Sequence, residues 1–352
     1  MGDFPVHPIS RRPSGFSVHS GMDGACRVLG LEPFWIPETW TKVRSRSWTA
    51  GEWLRRWGNR WYGSEWNALT PGWDEWRIRR ALPKGTPHVV HWLWGEFAAP
   101  KRAEVYRKRG GKVVVSVHCS ARRWESVWRR QDGYAQADRV VLTSESQREF
   151  VERSVPAERV KRIFLGVDGG FFLPGERRRD GNGRLRMFLF GNTERDFALA
   201  AEVAQKLPPE RFEWRVRTVA PDGRSMKGIP CVTLLPRLTD EEMLQEYRQA
   251  DVLCMPMLDS AANDVFLESM ACGTPVMTNR KGGVPEYLSD ACNIVMPQDA
   301  CADDWVDRLL ELERDRETLE AMRGPVRTWA ERFDWQLIAE DYRALYREVL
   351  GM

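Results

Sequence analysis

The sequence predicts an α/β protein with two parallel, doubly wound sheets. Three observations carry this. Short β-branched runs alternate with amphipathic helical stretches. The alternation stops at a polar, glycine-containing stretch, 173–186, and then restarts. The length, 352 residues, accommodates two ordinary domains with a core each.

In the first half, "HVVHWLW" from His88 reads as a buried strand, "APKRAEVYRKRGG" as a basic helix closed by glycines, and "KVVVSVH" as the next strand. "RVVLTS" and "RVKRIFLGV" continue the series. The second half gives strand "MFLFG", helix "DFALAAEVAQKL", and strands "FEWRVRTV" and "CVTLLP". Helix "TDEEMLQEYRQA" follows, its Thr239 placed to cap and its three acids suited to the positive end of the dipole. Strand "DVLCMPM", helix "VFLESMACG" and strand "PVMTN" come next, then a helix pair over 302–333 and a final amphipathic helix from Asp334. The expected domains are 1–172 and 173–333, with 334–352 a closing helix that crosses back to the first.

Composition narrows the function classes. A hydrophobic content of 42% with 29% charged residues is that of a globular domain, and a net charge of +3 carries no polyanion-binding signature. The seven cysteines show no paired metal spacing, which favours free thiols and a cytoplasmic location. No apolar run reaches membrane-spanning length. All five histidines and thirteen of the seventeen tryptophans lie at or before Trp128, so the two halves do different work.

Ligands of open α/β sheets bind beyond the carboxyl ends of the strands. That rule selects His91 and Glu96, His118, the stretch Gly191–Asp196, and the loop 258–264. In two sheets facing each other these four sets would share one cleft. The last loop opens onto a helix whose first N–H groups favour a phosphate. One turn in, Glu268 could accept two hydrogen bonds from a cis-diol such as ribose, or it could sit on an ordinary helix with Gly273 as its C-cap.

Here the sequence resembles a known family. "DVLCMPMLDSAANDVFLESMACGTPVMTNRKGGVPEYL" resembles the donor-site signature of glycosyltransferase family 4, within the GT-B architecture. "FLGVDGGFFLP" and the closing "DWQLIAEDYRALY" resemble the family's inter-domain turn and terminal helix. The resemblance implies that Glu268 holds the nucleotide ribose, and that Ala262, Asn263 and Asp264 meet the donor phosphate and sugar. Two positions depart from the family. Ser260 stands where a first acid is usual, with Asp259 or Asp264 nearby. Asn192 follows Gly191 where an arginine is usual, leaving Arg195 as the cation in reach. His118, ending "VVVSVH", resembles the histidine beside the reacting sugar. Ser14 and Gly15, in "SRRPSGF", resemble the loop near acceptor and phosphate, with His91 and Glu96 next in line.

The expected activity is therefore transfer of a sugar from a nucleoside-diphosphate sugar to a hydroxyl acceptor, glycan, lipid-linked or small-molecule, with retention of configuration. No cofactor and no metal are expected: no Asp-x-Asp pair ends a strand and the histidines lack a metal spacing. The alternatives are a hydrolase or epimerase of nucleotide sugars and a silent nucleotide-sugar-binding subunit. The donor signature argues against a nucleic-acid partner. "WTAGEWLRRWGNRWYGSEWNAL" (48–69) sets Trp53, Trp57 and Trp61 on one helical stripe beside arginines. It has three readings: core packing, an acceptor groove, or peripheral contact with the inner membrane face.

Overall fold

The computed structural model describes residues 5–10, 17–35, 71–95, 103–127, 135–177 and 183–352. They form two compact units. One contains the described residues up to Leu165, apart from Ser17–Gly21, together with Gln336–Met352; the other contains Ser17–Gly21 and Gly166–Trp335. The divisions fall at 165/166 and 335/336, a few residues from the sequence-based borders at 172/173 and 333/334.

The first unit holds a six-stranded sheet in the order β2-β1-β3-β4-β5-β6, with β1 Val6–Ser10, β2 Phe34–Trp35, β3 His88–Trp92, β4 Gly111–Val117, β5 Arg139–Leu142 and β6 Val160–Arg162. Every pairing in it is parallel. A parallel sheet is covered on both faces, which is why β3 and β4 read as runs of valine rather than alternating patterns. Val90, Val113, Val115, Val140 and Leu142 meet Tyr106 and Trp124 from the crossover helices Ala103–Arg107 and Ala121–Val127 in one apolar core. The final helix, Trp335–Leu350, buries Tyr342, Leu345 and Tyr346.

The second unit repeats the plan: order β12-β11-β10-β7-β8-β9, with β7 Leu185–Phe190, β8 Phe212–Arg217, β9 Val232–Leu234, β10 Val252–Cys254, β11 Val276–Asn279 and β12 Ile294–Met296, again all parallel. The chain builds β7-β8-β9 in one direction, then returns to lay β10, β11 and β12 on the other side of β7. The winding therefore reverses between β7 and β10. Open α/β sheets bind their ligands beyond the carboxyl ends of the strands at such a reversal. Among the described residues no helix is long and apolar enough to cross a membrane.

Candidate functional site

The loops after β7 and β10 are the ones that the sequence singles out, and hydrogen bonds join them. Leu258 N–H donates to Glu194 O at 2.9 Å and Asp196 N–H to Pro256 O at 2.8 Å. Gly191 turns the chain at φ +115°, and a Cβ there would lie 2.6 Å from Cζ of Arg195. Glu194 adopts φ +60°, a left-handed conformation that costs a non-glycine residue about 1–3 kcal/mol. In the same loop Asn192 Oδ1 accepts from Val219 N–H at 2.7 Å and from Thr218 Oγ1 at 3.1 Å.

Arg195 is buried under this turn. Its Nε donates to Phe190 O at 3.1 Å, Nη1 to Thr193 O at 2.5 Å and Nη2 to Asn263 Oδ1 at 3.3 Å. Burial pulls the guanidinium down to about 10, against Tyr247, Asp264, Glu194 and Glu268, so it stays cationic at neutral pH. Of these three N–H donors two brace its own loop, and the one on Asn263 ties that loop to the loop after β10.

Asn263 caps helix Asp264–Ala271: extended at φ −142°, it accepts the Val265 N–H on Oδ1 at 3.1 Å. The expectation of an open helix start is corrected to that extent, since two of the first N–H groups, those of Val265 and Phe266, are satisfied by Asn263. The far end closes through Gly273 at φ +75°, with Gly273 N–H on Met270 O and Thr274 N–H on Ser269 O, the paired bonds of a Schellman motif. Ala262 is half-buried beside the cap. Ser260, in the position of the missing acid, is buried, with its carbonyl accepting Gly283 N–H at 2.7 Å.

Glu268 is 3% exposed. Tyr247 OH donates to its Oε2 at 2.6 Å, and Ser20 Oγ donates to Oε1. Burial pushes the carboxyl up to about 7; Asp264 adds to this and the Ser20 and Tyr247 donors oppose it. Beside Ser20, His19 Nδ1 meets Asp168 Oδ2 at 2.6 Å, and the ring stacks on Phe171 with centroids 3.7 Å apart. Sequence reasoning missed His19, Ser20, Tyr247 and Asp168. The partners of the first two lie 149 and 248 residues away, and no local pattern marks them.

In the first unit, His118 follows β4, as expected of a strand-end residue. Its Nε2 pairs with Leu93 O at 2.7 Å and the ring tilts against Trp94. His91 is corrected from a strand-end ligand contact to a core residue: it lies within β3, with Nδ1 on Tyr346 OH at 2.7 Å and Nε2 on Ser116 Oγ at 2.8 Å. Burial pushes its imidazole down to about 3, with His118 adding to the effect, so it is neutral. Ser14, Gly15, Glu96 and the tryptophan segment 48–69 lie outside the described residues. Among the described residues no cluster of three or more His, Cys, Asp or Glu could hold a metal.

Two family models match, "Glycosyltransferase Family 4" over 29–169 and "Glycosyl transferases group 1" over 190–315. Together they span most of both units. The chain carries a glycosyltransferase family 4 domain followed by a group 1 glycosyltransferase domain. A D-inositol 3-phosphate glycosyltransferase of Paenarthrobacter aurescens (strain TC1) is 35% identical over 120 residues, 34% of this chain and 29% of the relative. One from Thermobifida fusca (strain YX) is 27% identical over 306 residues, 75% of this chain and 69% of the relative. For several such relatives the match spans under a third of their length. The fold is GT-B. A sucrose-phosphate synthase from Thermosynechococcus elongatus aligns at TM-score 0.75 with 14% identity, covering 99% of each chain. Anabaena HepE, solved with UDP and glucose, aligns at TM-score 0.68 with 12% identity, covering 98% of this chain and 100% of its own.

Proposed function

We propose that this protein transfers a sugar from a nucleoside-diphosphate sugar to a hydroxyl acceptor. One observation carries the reading: Glu268, the Asn263 cap and Arg195 converge where the winding of the second sheet reverses, the place where open α/β sheets bind nucleotides. A solved structure of HepE contains UDP-glucose, which supports a donor of that class. Ionised Glu268 accepts the ribose diol, and the loop 262–264 faces the phosphates. Arg195, which spends three of its five N–H donors on acceptors among the described residues, offsets the charge that grows on the leaving diphosphate.

In the step itself the bond from the anomeric carbon to the diphosphate oxygen breaks. A bond to the acceptor oxygen forms on the same face, and the acceptor's proton passes to the departing phosphate oxygen. Configuration is retained and no base or metal is needed. His118 positions the sugar. The acceptor is a glycan, a lipid-linked glycan or a small alcohol.

The test is incubation with UDP-, GDP- and ADP-linked sugars and an acceptor panel, with the product anomer read by NMR. The expected product is a new glycoside with the donor's configuration. Glu268→Ala should weaken donor binding by about 1–3 kcal/mol, the cost of removing a partner to buried hydrogen-bonding groups. Release of free sugar alone, or no turnover of any donor, would rule the transferase reading out.

A further inference from the structure

Ser17–Gly21 lie between β1 and helix Asp23–Val28 in sequence yet cluster with the second unit. Two side chains hold them there: Ser20, on the Glu268 carboxylate, and His19, on Asp168. His19 is fixed from three directions. Its backbone N–H donates to Ser17 Oγ at 3.0 Å, Nδ1 is on Asp168, and one ring face lies on Phe171 at an interplanar angle of 6°. Asp168 is itself anchored, its Oδ1 accepting Phe171 N–H at 3.2 Å.

A surface ion pair would need only one nitrogen, and an arginine or lysine would serve it as well. An imidazole adds a second polar atom on the opposite edge of a rigid ring. The His19 side chain is 26% exposed, and among the described residues Nε2 has no hydrogen-bond partner. The neighbourhood also has a charge to supply. Asn192 is neutral, and Arg195 spends three donors on protein acceptors.

We infer that His19 is a ligand-contacting residue of the nucleotide site, with Asp168 its positioning residue: Nε2–H donates to a diphosphate oxygen while Glu268, touched by the next residue of the loop, takes the ribose. The inference rests on the reading of Glu268 given above. Asp168 accepts the proton on Nδ1, so a ring that also donates from Nε2 carries both protons and is a cation between two anionic partners. No covalent step is involved.

The test titrates UDP, GDP and ADP, and separately uridine, guanosine and adenosine, into the unaltered protein, His19→Gln and Asp168→Asn, with thermal unfolding of each. For whichever diphosphate the unaltered protein binds, His19→Gln should weaken binding about 10-fold or more, the value of a charge-assisted hydrogen bond. The matching nucleoside should change less than about twofold, since it lacks the group that His19 meets. Asp168→Asn should reproduce the phosphate-only loss more weakly, and it keeps the inference testable if His19→Gln fails to fold. Unchanged diphosphate affinity, or equal losses for diphosphate and nucleoside, would overturn the inference. The ribose reading would then still stand if Glu268→Ala weakens the nucleoside. Absence of binding by any diphosphate to the unaltered protein would remove that reading, and this one with it.

Discussion

Glu268 is an acid seated among apolar side chains, which is unusual without a partner. Two hydroxyls supply one, from Tyr247 and Ser20. Its carboxyl, raised by burial to about 7, binds a proton more tightly folded than unfolded. The stability that the proton contributes is therefore complete below about pH 4.5 and lost as pH rises through about 7. Glu268→Gln, neutral at every pH, should gain on the unaltered protein between pH 5 and 8, by on the order of 1–3 kcal/mol. Thermal unfolding at both pH values checks this; equal shifts at pH 5 and pH 8 would show that the carboxyl does not titrate there. At this scale the sequence was legible where chemistry and locality coincide. Glu268 stood out because its own neighbours are apolar. His19 and Ser20 did not, because what gives them meaning is their distance in space from Asp168 and Glu268, and sequence does not carry that.

The loop Gly191–Asp196 shows how an element is fixed by conflicting demands. Gly191 needs φ +115° and room for the Arg195 guanidinium, and only glycine supplies both. Glu194 takes φ +60° without glycine's freedom, and in that conformation its carbonyl receives Leu258 N–H. Substitutions at these two positions should act in opposite directions. Gly191→Ala should destabilise by about 1–3 kcal/mol or more, whereas Glu194→Gly should be neutral or stabilising by up to about 1 kcal/mol. Chemical denaturation of both variants measures it, and equal destabilisation would refute the account of the turn. Most helices were readable from their caps and apolar spacing: Thr239 does form a capping box with Glu242, and 302–333 does divide into two helices. Strand β1 was not, because Pro8 lies inside it and proline normally argues against a ladder position. The stretch expected as linker ends earlier than its polarity suggests, since Leu185 and Arg186 already pair with Phe212 and Glu213.

For the whole molecule, alternating strands and helices were enough to indicate parallel sheets, and both sheets are parallel throughout. Strand order was less accessible. It depends on which side of β7 the chain takes after β9, and parallel strands of three residues such as β10 and β12 leave little pattern to decide it. Yet that order sets the site, because ligands of open α/β sheets bind where the strand order reverses, here between β7 and β10. The central claim is that a nucleoside diphosphate binds there. Hydrogen–deuterium exchange with UDP, GDP or ADP present tests it most directly, since bound ligand slows local opening. The expected result is protection of peptides covering 191–196 and 258–272 for at least one of the three, with the β12 edge unaffected. Protection confined to other segments, or none with any of them, would contradict the account.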